Sequence, residues 1–464
     1  MMKHFLRGVR YSVVLAAALI VAGCTAHPPG EAAERSVALD AGKPFERRIN
    51  ERDIPLLPDN PTLDDLVQYA LLANADLEQK YWEWRSAIEQ IPQDGTQPTN
   101  LVLFAGAPIE RGSTSFKRTT VTAANDPMAD ILWPDKPTTA ARRALEMAKA
   151  AGLRFQKARY ELRAKVQNAY YDYALSAELI RLEQENAQLL QTTATVADAR
   201  NRAGAAGQQD VLKARNELDL SKNDIANMQS QLPAQRAALN ALLGREPTSS
   251  IAPPATVPTV PAMSLTDDQL LEAAARQNPE LAALAREIAG KAEGLKLARL
   301  QYLPDFSLSA GTDLAGISQN LMGMITVPIL RHEAIDAAVR QAEANIRASE
   351  AMRRQTHNDL KAQLVMDLTT LRDADRQLAL FEQTILPRAK QVVPVARSAY
   401  EAGRSSLLDL LDSQRSLISI QRLITNLRVT RAKRLADVEA IIASDRGRSP
   451  KAMEQSGHAQ DQKK

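Results

Sequence analysis

The stretch YEAGRSSLLDLLDSQ at 400–414 has a weaker copy, RAGAAGQQDVLKAR, at 202–215. In each copy a glycine stands six residues before an aspartate, and two apolar residues follow that aspartate. The two glycines and the two aspartates are both separated by 199 residues. The corresponding pairs are Gly204 with Gly403 and Asp210 with Asp409. This repeated pattern predicts that the chain is an internal duplication.

Each copy is typical of the tip of a helical hairpin, where one helix ends and the next begins within a few residues. Glycine readily adopts the left-handed backbone conformation that ends a helix. Ser406 and Asp409 have the Ser-x-x-acid spacing of a capping box, and Gly207 with Asp210 has the same spacing with a poorer cap. Capping alone would account for both aspartates, and the alternative is a functional role at the tip.

The composition favours long helices and excludes several classes of protein. The 464 residues are 45% apolar with only 19 glycines, and aromatic residues, at 4%, are few for a barrel protein. The single cysteine cannot form an intramolecular disulfide, and five scattered histidines predict no metal cluster. No nucleophile elbow, phosphate loop, HExxH motif or cysteine cluster occurs, so the chain is not expected to be an enzyme.

The N-terminus has the parts of a secretory signal. Three basic residues precede an apolar segment at 11–21 that is too short to span a bilayer. The ending VAGC closely resembles a bacterial lipobox, which implies cleavage before Cys24 and lipid attachment to its sulfur and new amino group. Thr25 follows, and the absence of aspartate there implies sorting to the outer membrane of a Gram-negative bacterium. The alternative is an ordinary signal that leaves Cys24 as a free thiol.

The charge balance of the mature chain predicts no nucleic-acid partner. Cleavage removes three basic residues and no acidic ones, so 55 basic residues remain against 55 acidic residues. The segment 24–60 is rich in Pro, Ala and charge without periodicity, and we expect a tether from the lipid to the folded body. The tail at 444–464 has no apolar pattern and is predicted to be disordered.

The body repeats one order of elements: short helices, a strand pair, a long helix, a tip and a returning helix. The first and second repeats are predicted at 61–250 and 265–443, with a Pro-rich linker at 251–264. Helical periodicity predicts short helices at 62–96 and 266–301, long helices at 138–202 and 333–400, and returning helices at 208–243 and 406–443. Strands are predicted at 97–106 and 129–134, around an insertion at 107–130, and at 306–314 and 321–327.

Three prolines lie inside predicted helices: Pro233, Pro387 and Pro394. Each is expected to remove one backbone hydrogen bond and to bend its helix. Such bends either help a helical tube to taper or are local breaks without a role.

The twofold repeat, NPEL at 278–281, YLPDFSLSAG at 302–311 and YEAGRSSLLDLLD resemble the TolC family of trimeric outer-membrane efflux ducts, in its lipid-anchored branch. The resemblance implies a mainly α fold in which three protomers join long helical hairpins into an α-barrel tunnel. Four short strands per protomer would form a 12-stranded β-barrel above it. It also implies a periplasmic adaptor protein and an inner-membrane pump, of the resistance-nodulation-division type, as partners of the homotrimer. Most of the lipid-anchored chain would lie in the periplasm.

The resemblance also implies a gate at the periplasmic end of the tunnel. Its matching positions here are Tyr400, Asp409 and Asp412, whereas the family's arginine falls on Ser405, one position after Arg404. The adaptor-contacting tips would include Gly204, Asp210, Gly403, Arg404 and Asp409. The residues themselves support a ring: Asp409 and Asp412 are spaced i, i+3 on one helical face, so a trimer places six carboxylates around one axis. Such a ring would bind cations while its members repel one another.

The predicted strands are short for a membrane. A spanning strand needs about 9–11 residues, which 306–314 barely reaches and 321–327 does not. Two arrangements follow: a minimal spanning barrel, or a collar beneath a membrane in which the lipids provide the anchor. The predicted function is therefore an outer-membrane channel of a tripartite efflux or export system, with a non-conducting periplasmic scaffold or spacer lipoprotein as the alternative.

Overall fold

The computed structural model describes residues 25–107, 119–126, 128–254, 256–260, 265–313 and 319–443. Cys24, the predicted signal and the predicted disordered tail lie outside the described residues. The helices are α1 (Glu31–Gly42), α2 (Leu63–Ala73), α3 (Ala75–Gly95), α4 (Asp135–Arg202), α5 (Gln208–Leu242), α6 (Asp267–Gln277), α7 (Pro279–Leu300), α8 (His332–Leu380), α9 (Leu386–Glu401) and α10 (Leu407–Ile441). The strands are β1 (Leu101–Gly106), β2 (Thr120–Asn125), β3 (Asp305–Asp313) and β4 (Gln319–Thr326).

The described part of the chain forms two compact units. The first contains described residues of 1–43, 80–154 and 280–355, and the second those of 44–79, 155–279 and 356–464. The sheet belongs to the first unit and both hairpin tips to the second. Within the described residues, no helix combines the length and the apolar character that a membrane crossing requires.

Each short helix of the sequence prediction is divided by an asparagine. The predicted Thr caps are confirmed, because Thr62 and Thr266 both form capping boxes. Asn74 ends α2, and its side-chain oxygen accepts the Leu77 N–H at 3.0 Å, which starts α3. Asn278 ends α6 in the same way, followed by a proline that disfavours continued helix before it. The duplication therefore extends to a kink that hydrophobic periodicity did not reveal.

The two long helices differ in continuity. Helix α4 runs unbroken for 68 residues, which at 1.5 Å per residue is about 100 Å. Its counterpart is divided into α8 and α9 by a five-residue π-helical turn, Phe381–Ile385. Pro387 lies in the first turn of α9, where its missing N–H and its ring interrupt regular α-helical bonding. The interrupted hydrogen bonding next to Pro387 agrees with the prediction for that proline, whereas Pro233 and Pro394 lie within uninterrupted helices.

The four strands form one antiparallel sheet in the order β1-β2-β3-β4. The prediction of a return strand at 129–134 was wrong: β2 lies at Thr120–Asn125, inside the expected insertion, and Ile131 makes only an isolated bridge to Phe306. The β-branched Thr-Val-Thr run that opens β2 favours a strand, but the alanines after it weaken the apolar pattern. In the second half, β3 and β4 agree with the prediction within two residues.

The prediction that 24–60 is a tether was wrong for its helical part. Helix α1 packs in the first unit, where Ala38 is fully buried and Glu34 accepts a 2.8 Å hydrogen bond from the Trp84 indole. A Cβ on Gly42 would lie 1.9 Å from the Tyr81 ring, so the helix approaches this aromatic closely. Packing through small residues and polar contacts leaves little hydrophobic periodicity, which is why the sequence pattern did not reveal it.

Candidate functional site at the hairpin tips

The two hairpin tips have the same backbone geometry. Gly204 and Gly403 have φ angles of 73° and 72°, in the left-handed region. In each tip the residue after the glycine donates its N–H to a carbonyl five residues earlier, at 2.8 Å: Ala205 to Arg200 and Arg404 to Ala399. This is the bonding that ends a helix at a left-handed glycine. The predicted helix ends at both glycines are confirmed.

The helix that follows the second tip has a full cap. The Asp409 carboxylate accepts hydrogen bonds from the Ser406 hydroxyl at 2.8 Å and from the Ser406 N–H at 3.0 Å. The Ser406 hydroxyl in turn accepts the Asp409 N–H at 3.2 Å. The hydroxyl and then the backbone bond lower the pKa of Asp409 below its ordinary value. The predicted capping box is confirmed, and Gly207 gives α5 no side-chain cap.

Asp210 has a different partner from Asp409. Its carboxylate lies 3.5 Å from the hydroxyl of Tyr400, which is only 1% exposed. Burial and then the nearby Asp210 charge raise the pKa of Tyr400 above its ordinary value. The structure therefore joins Tyr400 of the second hairpin to Asp210 of the first, and not to Asp409 or Asp412.

Arg200 completes this contact and was missed by sequence reasoning. Its guanidinium donates to the Tyr400 carbonyl and, at 3.0 Å, to the Ala205 carbonyl, so it bonds the ends of both hairpin turns. The guanidinium also lies over the Tyr400 ring, 4.4 Å from its centroid. Arginine in the last turn of a helix commonly bonds terminal carbonyls, which was the available signal. Comparison of the two repeats did not point to Arg200, because the corresponding position in the second repeat is Ala399.

A hydrophobic cluster fixes the position of these polar groups. It joins residues of α4, α5, α9 and α10, and several members are alanines that allow the helices to approach closely. Its buried members are Leu190, Ala194, Ala197, Ala214, Leu218, Tyr400, Leu407, Leu410 and Leu411. On α4, farther from the tip than this cluster, the buried Glu183 accepts hydrogen bonds from Arg422, from Ser221 at 2.7 Å and from Asn186 at 3.0 Å.

The remaining predicted site residues lie on the surface of the tip. Asp412 is 3.4 Å from Arg415, which also pairs with Glu217. Arg404 lines a shallow groove beside Val395. Within the described residues, no group of three or more His, Cys, Asp and Glu side chains could hold a metal ion.

Comparison with curated proteins links these helices to efflux systems. CzcC of Cupriavidus metallidurans, a cobalt-zinc-cadmium resistance protein, is 28% identical over 286 residues, which cover 60% of this chain and 66% of CzcC. The pyoverdine export outer membrane protein OpmQ of Pseudomonas aeruginosa is 23% identical over 80% of this chain and 82% of OpmQ. The cation efflux system protein CusC of Escherichia coli K12 is 22% identical over 58% of this chain. The matched segments span less than two thirds of the CzcC and CusC chains.

Solved structures confirm the fold, and a family model identifies the family. CusC has a TM-score of 0.71 at 18% identity, covering 86% of this chain and 96% of that chain. The outer membrane protein VceC of Vibrio cholerae has a TM-score of 0.70 at 20% identity, covering 82% and 95%. The model described as "Outer membrane efflux protein" matches residues 135–245 and 270–444, which include the long helices and the tip of each repeat. The chain therefore belongs to the outer membrane efflux protein family, as its resemblance to TolC-like ducts predicted.

Proposed function

We propose that this protein is the outer-membrane channel of a tripartite efflux system. It receives substrates from an inner-membrane pump, of the resistance-nodulation-division type, through a periplasmic adaptor. The observation that carries this proposal is the family match over the long helices and tips of both repeats. The names of the relatives describe export, which favours a channel over a non-conducting scaffold. Those names specify both metal cations and pyoverdine, so the cargo is left open.

The working unit in this proposal is a homotrimer. In the described chain, β1 and β4 are the edges of the sheet and each has one strand neighbour. Unpaired strand edges favour pairing with another chain, and cyclic symmetry closes such a head-to-tail contact into a ring. Three copies would give twelve strands.

Lipid attachment to Cys24 is part of the proposal and would anchor the trimer in the outer membrane. Cys24 lies outside the described residues, but the residues that follow it contact the segment that leads into β1. The Thr25 hydroxyl is 3.1 Å from the Thr96 hydroxyl, and the Ala26 N–H donates to the Gly95 carbonyl at 2.9 Å. In this proposal the acyl chains lie near the start of β1, and the strands enter the membrane rather than form a collar beneath it.

We further propose that the tips form the periplasmic gate and the adaptor contact. In this arrangement Asp409 and Asp412 of three copies surround the entrance, and the contact of Tyr400 with Arg200 and Asp210 holds the two hairpins of each copy together. The adaptor would contact the turns at Gly204 and Gly403. Exposed carboxylates around a narrow entrance favour cations and bind divalent ions.

Two measurements test the channel. Sedimentation in mild detergent should give the mass of a trimer, and a stable monomer would contradict the proposal. The purified trimer should conduct ions across a planar bilayer. A trimer that never conducts, even when Arg200→Ala releases the contact between the hairpins, would identify the protein as a scaffold.

The gate has its own test, in single-channel recordings of the Asp409→Asn, Asp412→Asn double variant. Loss of cation selectivity and of divalent block, with unchanged trimer stability, would support an aspartate ring. Unchanged selectivity with a lowered melting temperature would leave the two aspartates as helix-stabilising residues. The single Asp412→Asn variant is the matched control, because it leaves the cap at Ser406 intact.

A further inference from the structure

The strand register divides the sheet into an apolar face and a polar face. Directly paired residues of antiparallel strands lie on the same face, and successive residues alternate between faces. On one face Phe306 pairs with Ile325 and Ala310 with Leu321. On the other face the central strands carry Thr120, Thr122, Ser307, Ser309 and Gly311. A sheet of this kind separates an apolar environment from an aqueous one.

The two edge strands break this division. Met322 and Met324 of β4 pair with Ser309 and Ser307, so they lie on the polar face. Phe104 of β1 pairs with Thr122, which places Phe104 and its i−2 neighbour Val102 on the polar face as well. Met322, Met324 and Phe104 are 63%, 58% and 45% exposed. The large apolar side chains of the polar face are thus confined to the two edge strands, each of which pairs with one neighbouring strand in the described sheet.

We infer that these side chains meet across the seam between two copies of the chain, with β4 of one copy paired to β1 of the next. This inference rests on the proposed trimeric channel. Strand directions alternate across the sheet, so β4 and the next β1 are antiparallel and continue the alternation. The seam then covers Phe104 and the two methionines together, since thioethers pack favourably on aromatic rings.

Strand periodicity restricts the register of the seam. A shift by one residue moves every side chain to the opposite face, so even-numbered residues of β4 must pair with even-numbered residues of β1. Three such registers pair at least five of the six residues of β1. They place Phe104 opposite Asn320, Met322 or Met324. In each register a methionine lies directly or diagonally opposite Phe104, within reach of long and aromatic side chains.

Cysteine cross-linking in membranes that contain the full chain tests this seam. The double variants Phe104→Cys with Met322→Cys and Phe104→Cys with Met324→Cys are oxidised, and covalent oligomers are scored on non-reducing gels. We expect at least one pair to give a ladder that ends at the trimer. The matched control is Phe104→Cys with Leu321→Cys, whose second position lies on the opposite face and should give no ladder. Each single variant controls for Cys24.

A second pair of variants guards against a misfolded sheet. Val102→Cys, combined in turn with Met322→Cys and Met324→Cys, tests the same face without replacing Phe104. A ladder from the Leu321→Cys control, or no ladder from any methionine pair in a protein that still sediments as a trimer and conducts, would overturn the seam. An unmodified protein that neither sediments as a trimer nor conducts would instead contradict the proposed function.

Discussion

Arg200 stabilises the tip through two carbonyl groups, one in each hairpin turn. Its guanidinium bonds Tyr400 of the second hairpin and Ala205 of its own turn, so one side chain holds both hairpins. Hydrogen bonds from a charged donor contribute about 1.5–3 kcal/mol. We expect Arg200→Ala to speed hydrogen exchange in both tip turns by at least tenfold and to raise the current through the proposed channel.

A neighbouring arginine provides the control for this variant. Arg202 is more than three-quarters exposed and pairs within its own helix with Asp198, at 2.7 Å. Because an exposed pair contributes about 0–1 kcal/mol, Arg202→Ala should leave exchange and current nearly unchanged. Equal effects of the two variants, measured by exchange mass spectrometry of the tip peptides, would show that Arg200 has no special role.

The Asp409 cap makes the tip sensitive to acid in a defined direction. The bonds from Ser406 lower the pKa of folded Asp409, so their contribution to stability is present above the ordinary pKa of aspartate, about 3.9. That contribution is lost as the pH falls through the lowered pKa. The melting temperature of the unmodified protein should therefore fall more between neutral pH and about pH 3 than that of Asp409→Asn. Parallel melting profiles for the two proteins would contradict this expectation.

At the scale of elements, the duplication repeats a hydrogen bond from an asparagine side chain as well as the order of the helices. The Asn74 amide donates to the last carbonyl of α5, at Leu242, and the Asn278 amide donates to the last carbonyl of α10, at Ile441, both at 2.9 Å. Each asparagine thus joins a short-helix pair to the end of a returning helix in the second unit. A buried carbonyl that loses its donor destabilises the folded state.

Substitution of Asn74 separates its two roles. Asn74→Ala removes both the cap on Leu77 and the bond to Leu242, and we expect it to lower the free energy of unfolding by about 2–4 kcal/mol. Asn74→Ser retains a capping oxygen but is too short to reach Leu242, so it should cost about half as much. Denaturant titration of the purified protein measures both changes. An alanine variant as stable as the unmodified protein would show that neither Asn74 bond contributes to stability.

At the scale of the whole molecule, the first described residues of the chain, Thr25 and Ala26, contact Thr96 and Gly95 in the segment that leads into β1. Because several acyl chains on one residue anchor a protein stably, we expect Cys24→Ser to leave an unprocessed or poorly anchored protein. Mass spectrometry of the mature N-terminus and membrane fractionation measure this. An unmodified Cys24, or a mature terminus elsewhere, would contradict lipidation.

The sequence by itself determined the duplication, the long helices, both tips and the cap at Ser406. These features depend on interactions over a few residues: glycine conformation, the i, i+3 capping spacing and the 3.6-residue period. The positions of β3 and β4 were also readable, because the apolar residues of β3 alternate and the apolar run of β4 ends just before a proline.

Only the tertiary structure decided how distant residues meet. It placed Arg200 on Tyr400, moved the first return strand to Thr120–Asn125 and packed α1 against Trp84. These contacts join residues up to 200 positions apart, and their side chains are arginine, threonine and small residues whose local pattern has no helical or strand period. Their partners are chosen by packing and hydrogen-bond geometry, which a single local stretch of sequence does not encode.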